Sequence, residues 1–146
     1  MSTAIQPFVP QNLDQLYALC DRLAKSDLMP EALRGKPANI AIVIMTGQEL
    51  GLGPMLAART INVVKGKPTL AADLMSALVQ RETSVCEYFM PVESTAVQAV
   101  YETKRRGAPR PVRFAWTMKM AQAAGLLSNP AWKSYPDAML RARCIT

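Results

Sequence analysis

Nine basic side chains crowd the last 43 residues of this 146-residue chain: Lys104, Arg105, Arg106, Arg110, Arg113, Lys119, Lys133, Arg141 and Arg143. A single carboxylate, Asp137, accompanies them. Residues 1–103 carry eight basic and ten acidic side chains, so the whole net charge of +6 comes from the C-terminal third. Such asymmetry points to a polyanionic partner, nucleic acid first. Arg and Lys stay charged at neutral pH, and the guanidinium forks onto phosphate oxygens. They therefore suit a grip on a sugar–phosphate backbone that leaves sequence unread. Arg141, Arg143 and Lys133 are the first residues expected to supply it. Lys104, Arg105, Arg106 and Arg110 form either a clamp at a hairpin tip or a solvated turn, with Arg113 on the strand that follows. Lys65 and Lys67 are secondary candidates. Trp132 either stacks on a base, a contact worth roughly 1–3 kcal/mol in single-strand binders, or anchors its loop to the core. Arg141 and Arg143 are two apart on a helix, about 200° around it, so they do not both face one strand squarely. Arg141 also lies four residues after Asp137, within reach of an ion pair.

Other chemistries find few residues to carry them. The chain has no His, which removes Ser–His and Cys–His pairs and every His-ligated metal site. Cys20, Cys86 and Cys144 are odd in number and far apart, so neither a zinc site nor a disulfide framework is indicated, and a reducing compartment is expected. Cys20 reads as core; Cys86 and Cys144 lack an activating base. Gly66-Lys67-Pro68-Thr69 resembles the end of a phosphate-binding loop, but the earlier Gly is missing and Pro68 removes an N–H. Gly51-Leu52-Gly53 lacks a third Gly and follows a helix, so it reads as a helix stop. Glu49, Glu82, Glu87 and Glu93 are scattered. No cofactor is expected, and a binding protein is favoured over an enzyme. Residues 1–7 lack a signal-peptide pattern. The longest apolar run, residues 40–45, is far below the roughly 20 needed to span a bilayer. A cytoplasmic protein without a membrane partner is expected.

Periodicity supplies the scaffold. Leu13, Leu16, Tyr17, Cys20, Leu23 and Ala24 mark one helical face, with Asn12 as N-cap. Pro37 opens a second helix, apolar on nearly every side and so expected at the centre. Gly51 ends it, and Gly53-Pro54 opens a shorter one. Residues 61–64 and 67–70 flank Lys65-Gly66 as a tight hairpin, with Pro68 on an edge strand. Residues 71–81 return to helix, with Leu74, Ala77 and Leu78 inward. Residues 85–90 suit a strand. Residues 96–103 and 112–116 form a second hairpin around the basic turn. Thr117 caps a short helix that ends at Gly125, and residues 126–132 are loop. Ser134 and Asp137 match a capping box for a last helix with Ala138, Met139, Ala142 and Ile145 inward. Met118, Met120 and Met139 suit either internal packing or a subunit interface. The expected fold is α+β: a single domain over 1–146, with a short antiparallel sheet from β-hairpins packed against helices. The last apolar face is still running at Thr146, so a longer natural chain is expected.

Three segments resemble the RecT/Red-beta family of phage single-strand DNA annealing proteins. The first is Gln48-Glu49-Leu50-Gly51-Leu52-Gly53-Pro54-Met55-Leu56-Ala57-Ala58, followed by Ile61-Asn62-Val63-Val64-Lys65-Gly66-Lys67-Pro68 and Ala72-Asp73-Leu74-Met75. The second is Tyr101-Glu102-Thr103-Lys104-Arg105-Arg106-Gly107, with residues 117–126 similar to the short helix beyond it. The third runs from Trp132 through Pro136, Met139, Leu140 and Arg141 to Arg143. The likeness spans residues 40–146. It implies annealing of complementary single strands without ATP, self-assembly into rings or helical filaments, and cooperation with a 5′ to 3′ exonuclease. Red-beta-like members place a basic residue after the Pro where this chain has Asp137; RecT-like members tolerate Asp there. The main rival reading is a regulator that binds duplex DNA.

Overall fold

Asn12 starts the first helix as its type foretells. Its Oδ1 accepts the Gln15 N–H at 2.9 Å, which satisfies one of the free donors of α1 (Leu13–Leu23). The computed structural model describes residues 8–146, so Met1–Pro7, read above as lacking a signal peptide, lie outside the described residues. Helix and strand make up 46% and 22% of the chain, in two small antiparallel sheets packed with helices. The α+β class expected from the hydrophobic pattern is therefore the class found. The chain divides into two compact units, Met1–Ala71 and Ala72–Thr146.

In the first unit, α2 (Pro37–Glu49) packs against α1 and α3 (Pro54–Thr60). Pro37 and Pro54 stand in the first turns of their helices, where a missing N–H costs nothing. Ile40, Ala41, Val43 and Ile44 are buried, yet Ile42 and Met45 stay exposed. The helix is thus not buried all round, because its neighbours cover only one side. On α1, Leu16 and Cys20 are buried with Ala24 just beyond, while Leu13 and Tyr17 remain outside. The strands β1 (Ile61–Val64) and β2 (Lys67–Leu70) pair antiparallel, with Val63 opposite Pro68. Both turn residues have positive φ, +50° at Lys65 and +77° at Gly66. That conformation matches the right-handed twist of the flanking strands.

Gly47 allows α2 and α3 to approach. A Cβ there would lie 2.3 Å from the Ala57 Cβ. Gly47→Ala is expected to cost about 1–3 kcal/mol through overpacking, outweighing the roughly 1 kcal/mol helix-propensity advantage of Ala. A urea unfolding midpoint equal to that of the parent would contradict this.

In the second unit, α4 (Ala72–Arg81) precedes a three-stranded meander of β3 (Cys86–Ser94), β4 (Gln98–Arg105) and β5 (Val112–Thr117). The sequence marked only one hairpin here. The second, β3–β4, closes at Thr95, whose Oγ1 accepts N–H groups from Val97 and Gln98. β3 runs on through Pro91, and its ladder is interrupted by register shifts at residues 86–88 and 91–93. Thr117 caps α5 (Met118–Ala123) by accepting the Met120 N–H at 3.2 Å.

Local expectations fail at several points. Residues 126–132 are not plain loop: a 3₁₀ turn (Leu126–Ser128) is followed by α6 (Ala131–Ser134). Ser134 is thereby consumed as the end of α6, and the backbone N-cap of α7 (Pro136–Ile145) is Tyr135 with no side-chain bond, so no capping box forms. On α7, Leu140 and Cys144 are the buried residues; Met139 and Ile145 pack half-buried against the same core as expected, and Ala138 and Ala142 are half-buried. On α4, Leu74 is buried but Ala77 is exposed. The core of this unit joins Ala99, Tyr101, Ala121, Trp132, Leu140 and Cys144. Phe89, Tyr101 and Phe114 pack ring to ring above it, with centroids 5.3–6.4 Å apart.

Candidate nucleic-acid interface

The register of β4 and β5 sorts the cations of the second unit. Ala99, Tyr101 and Thr103 stand opposite Trp116, Phe114 and Val112, and Glu102 stands opposite Arg113. Successive side chains point to opposite faces. Arg105 therefore shares the inner face with Thr103 and Trp116, whereas Lys104 and Arg113 share the outer face with Glu102.

On the outer face the charges are spent on carboxylates. Arg113 forms an ion pair with Glu102, and Lys104 lies 3.1 Å from Glu87. The Tyr88 hydroxyl donates to the other Glu102 oxygen at 2.6 Å. The Tyr88 hydrogen bond first and Arg113 second hold the Glu102 carboxyl below its usual range, and Tyr88 is correspondingly raised. The sign of the pH effect follows. A depressed carboxyl contributes stability above the ordinary Glu pKa of about 4.3 and loses it as pH falls through the lower, folded-state value. Glu102→Gln is expected to lower the melting temperature at pH 7, with parent and variant converging at acid pH. A gap that stays constant from neutral to acid pH would contradict this.

The inner face carries cations without carboxylate partners. The side chains of Arg105 and Arg110 are exposed and make no hydrogen bond or ion pair among the described residues. Arg106 is held to backbone: its Nε donates to the Thr83 carbonyl at 2.9 Å, and its own N–H donates to the Val85 carbonyl. Arg143 is exposed on α7, its guanidinium carbon 4.7 Å from the centroid of the Trp116 ring. This cation–π contact orients the charge without cancelling it. Arg105 and Arg110 border the same groove as Thr103 and Val112, near one end of β5, whereas Arg143 lies over Trp116 near the other. Lys133 is exposed at the end of α6. Arg141 instead bridges Asp137 at 3.1 Å and the Ser94 hydroxyl at 2.8 Å. The Ala138 N–H first and Arg141 second hold the Asp137 carboxyl low.

The sequence-derived set is thus only partly assembled. Arg105, Arg110 and Arg143 have no carboxylate partner, the first two beside the groove of Thr103 and Val112 and the third on α7 over Trp116, with Lys133 exposed on α6. Lys104, Arg113 and Arg141 are neutralised by pairs. Trp132 is 4% exposed in the core, so it is an anchor and its ring offers no stacking platform. Lys65 and Lys67 are exposed at the β1–β2 turn of the other unit. Sequence reading missed the Arg143–Trp116 contact. It also missed the Glu102–Arg113 pair, although hairpin pairing of residue 103 with 112 sets those two opposite each other.

Cys144, the thiol best placed to serve an alternative enzymatic reading, is 6% exposed and lies 3.5 Å from the Ala99 carbonyl. Burial pushes its pKa up, which disfavours the nucleophilic thiolate. Among the described residues no three His, Cys, Asp or Glu side chains come together as metal ligands. No single described helix is long and apolar enough to cross a membrane; α2 and α3 together reach that length only across a 108° bend. No family model and no curated protein sequence matches the chain.

Proposed function

We propose that this protein binds single-stranded DNA through its backbone and anneals complementary strands without ATP, as a self-associating cytoplasmic component of phage recombination working beside a 5′ to 3′ exonuclease. The observation that carries this reading is the segregation of charge across the β4–β5 pair. Outer-face cations are matched by carboxylates, whereas Arg105, Arg110 and Arg143 have no carboxylate partner. A strand laid along these positions has its phosphates held and its base edges unread, the condition under which a second strand can pair with it. The resemblance of residues 40–146 to the RecT/Red-beta family supports the same reading.

Fluorescence anisotropy with a mixed-sequence oligonucleotide tests it. For four phosphate contacts at a log–log slope of about −0.7 each, affinity falls about fifty-fold between 50 and 200 mM salt. Single strands of unrelated sequence are expected to bind alike. Tight preference for one duplex sequence would instead indicate a regulator that reads the major groove.

A further inference from the structure

Most aromatic rings of the second unit are already engaged. Trp132 is in the core, Trp116 lies half-buried beneath Arg143, and Phe89, Tyr101 and Phe114 pack on one another. Tyr88 is half-buried with its hydroxyl on Glu102. Among the described residues of this unit, one ring stays largely in solvent: Tyr135, 66% exposed. Its side chain makes no hydrogen bond or ring contact among the described residues, so it serves no bond within the fold.

The Tyr135 backbone, by contrast, is fixed. Its N–H donates to the Ala131 carbonyl at 2.8 Å, closing α6, and its carbonyl accepts the Met139 N–H at 3.0 Å, opening α7. Pro136 follows and restricts the residue before it. Two side-chain torsions are all that a contact has to order, so the ring is cheap to immobilise.

The charges around it suit a polyanion. Lys133 is exposed, without an ion pair among the described residues, and at most about 7 Å away along the backbone. Arg143 is eight positions further along α7, about 12 Å of rise and about 80° around the axis. The single carboxylate of the last 43 residues, Asp137, is paired with Arg141 at 3.1 Å. By position on α7 those two lie about 160° and 120° around from Tyr135. Asp73 of α4 and Arg141 both act on Tyr101, which places Asp73 toward that same side.

We infer that Tyr135 is the platform on which a base of the single strand stacks, with Lys133 on an adjoining phosphate and Arg143 on one further along. The inference rests on the binding mode proposed above and adds a contact to the bases themselves. Stacking engages the face of a base, which every base has, and leaves its edge free to pair.

Fluorescence anisotropy with a mixed-sequence oligonucleotide and an abasic strand of equal length tests it. The parent is expected to prefer the strand that carries bases. Tyr135→Ala is expected to lose about tenfold on that strand, to lose nothing on the abasic one, and to keep the parent's salt slope, since no charge is removed. Tyr135→Phe should bind as the parent does, and both variants should melt with it. A parent that binds neither strand would overturn the proposed function and this inference together. A parent that binds, with Tyr135→Ala binding equally well or weakened equally on both strands, would overturn this inference alone.

Discussion

Replacing Arg105, Arg110 and Arg143 together with Ala is expected to weaken single-strand binding about a hundredfold at 0.1 M salt. Each phosphate contact contributes a log–log slope of about 0.7, so three contacts flatten the salt dependence by about two units. Stability should barely move. The side chains of Arg105 and Arg110 make no hydrogen bond or ion pair among the described residues, and the Arg143–Trp116 contact is worth about 0.5–1 kcal/mol at an exposed site. Lys104→Ala is the informative contrast. Its ammonium already lies 3.1 Å from Glu87, so its loss should leave the salt slope almost unchanged. Oligonucleotide titrations at several salt concentrations, alongside thermal melts, measure both quantities. If Lys104→Ala flattened the slope as much as removing a free arginine, the division of charge between the two faces would have no bearing on binding.

Trp132→Ala is expected to destabilise the protein by about 3–5 kcal/mol, the usual cost of truncating a buried aromatic. Trp132 is 4% exposed and packs with Leu140, Cys144, Tyr101 and Ala99. A loss of that size is a large share of the 5–15 kcal/mol typical of a folded domain. Trp132→Phe retains most of the packing and should bind single strands as the parent does. Urea unfolding of both variants, with oligonucleotide binding of the Phe variant, separates the roles. A well-folded Trp132→Ala protein with severalfold weaker binding would restore the stacking role that burial removes.

The Trp132 case shows where sequence and structure part. An aromatic beside a basic residue, in a stretch rich in Ser, Asn and Pro, has the local chemistry of a base-stacking loop. Whether its ring faces solvent depends on α6, a four-residue helix with no periodicity long enough to be seen. The same helix takes Ser134 and so removes the capping box. Features closed within a few residues were legible. Asn12 and Thr117 cap as expected, Lys65-Gly66 makes the tight turn, and Pro37 begins its helix. The β4–β5 pairing was legible from the alternation of Val112, Phe114 and Trp116. The ion pairs of Lys104 and Arg113 required that pairing to be carried one step further, to the residue opposite. Glu87 demanded more, because β3 reaches its partner through a register shift that no local pattern announces. Charge sign was therefore readable along the chain, and charge availability only across the sheet.

The two arginines of α7 illustrate the same point. Their separation by about 200° foretold different surroundings. Arg141 meets Asp137 and Ser94, and Arg143 lies over Trp116. The sequence ranked them together; the structure makes Arg143 the available one.

Strand annealing in the absence of ATP is the most direct measurement. Two complementary oligonucleotides carrying a fluorescence donor and acceptor are mixed with the protein, and the rate of duplex formation is followed. The expected result is a rate well above the spontaneous one, independent of sequence, falling with salt and lost when Arg105, Arg110 and Arg143 are all replaced. A rate equal to that of the bare strands, or an acceleration that survives the triple replacement, would contradict the claim that this face holds single strands for pairing.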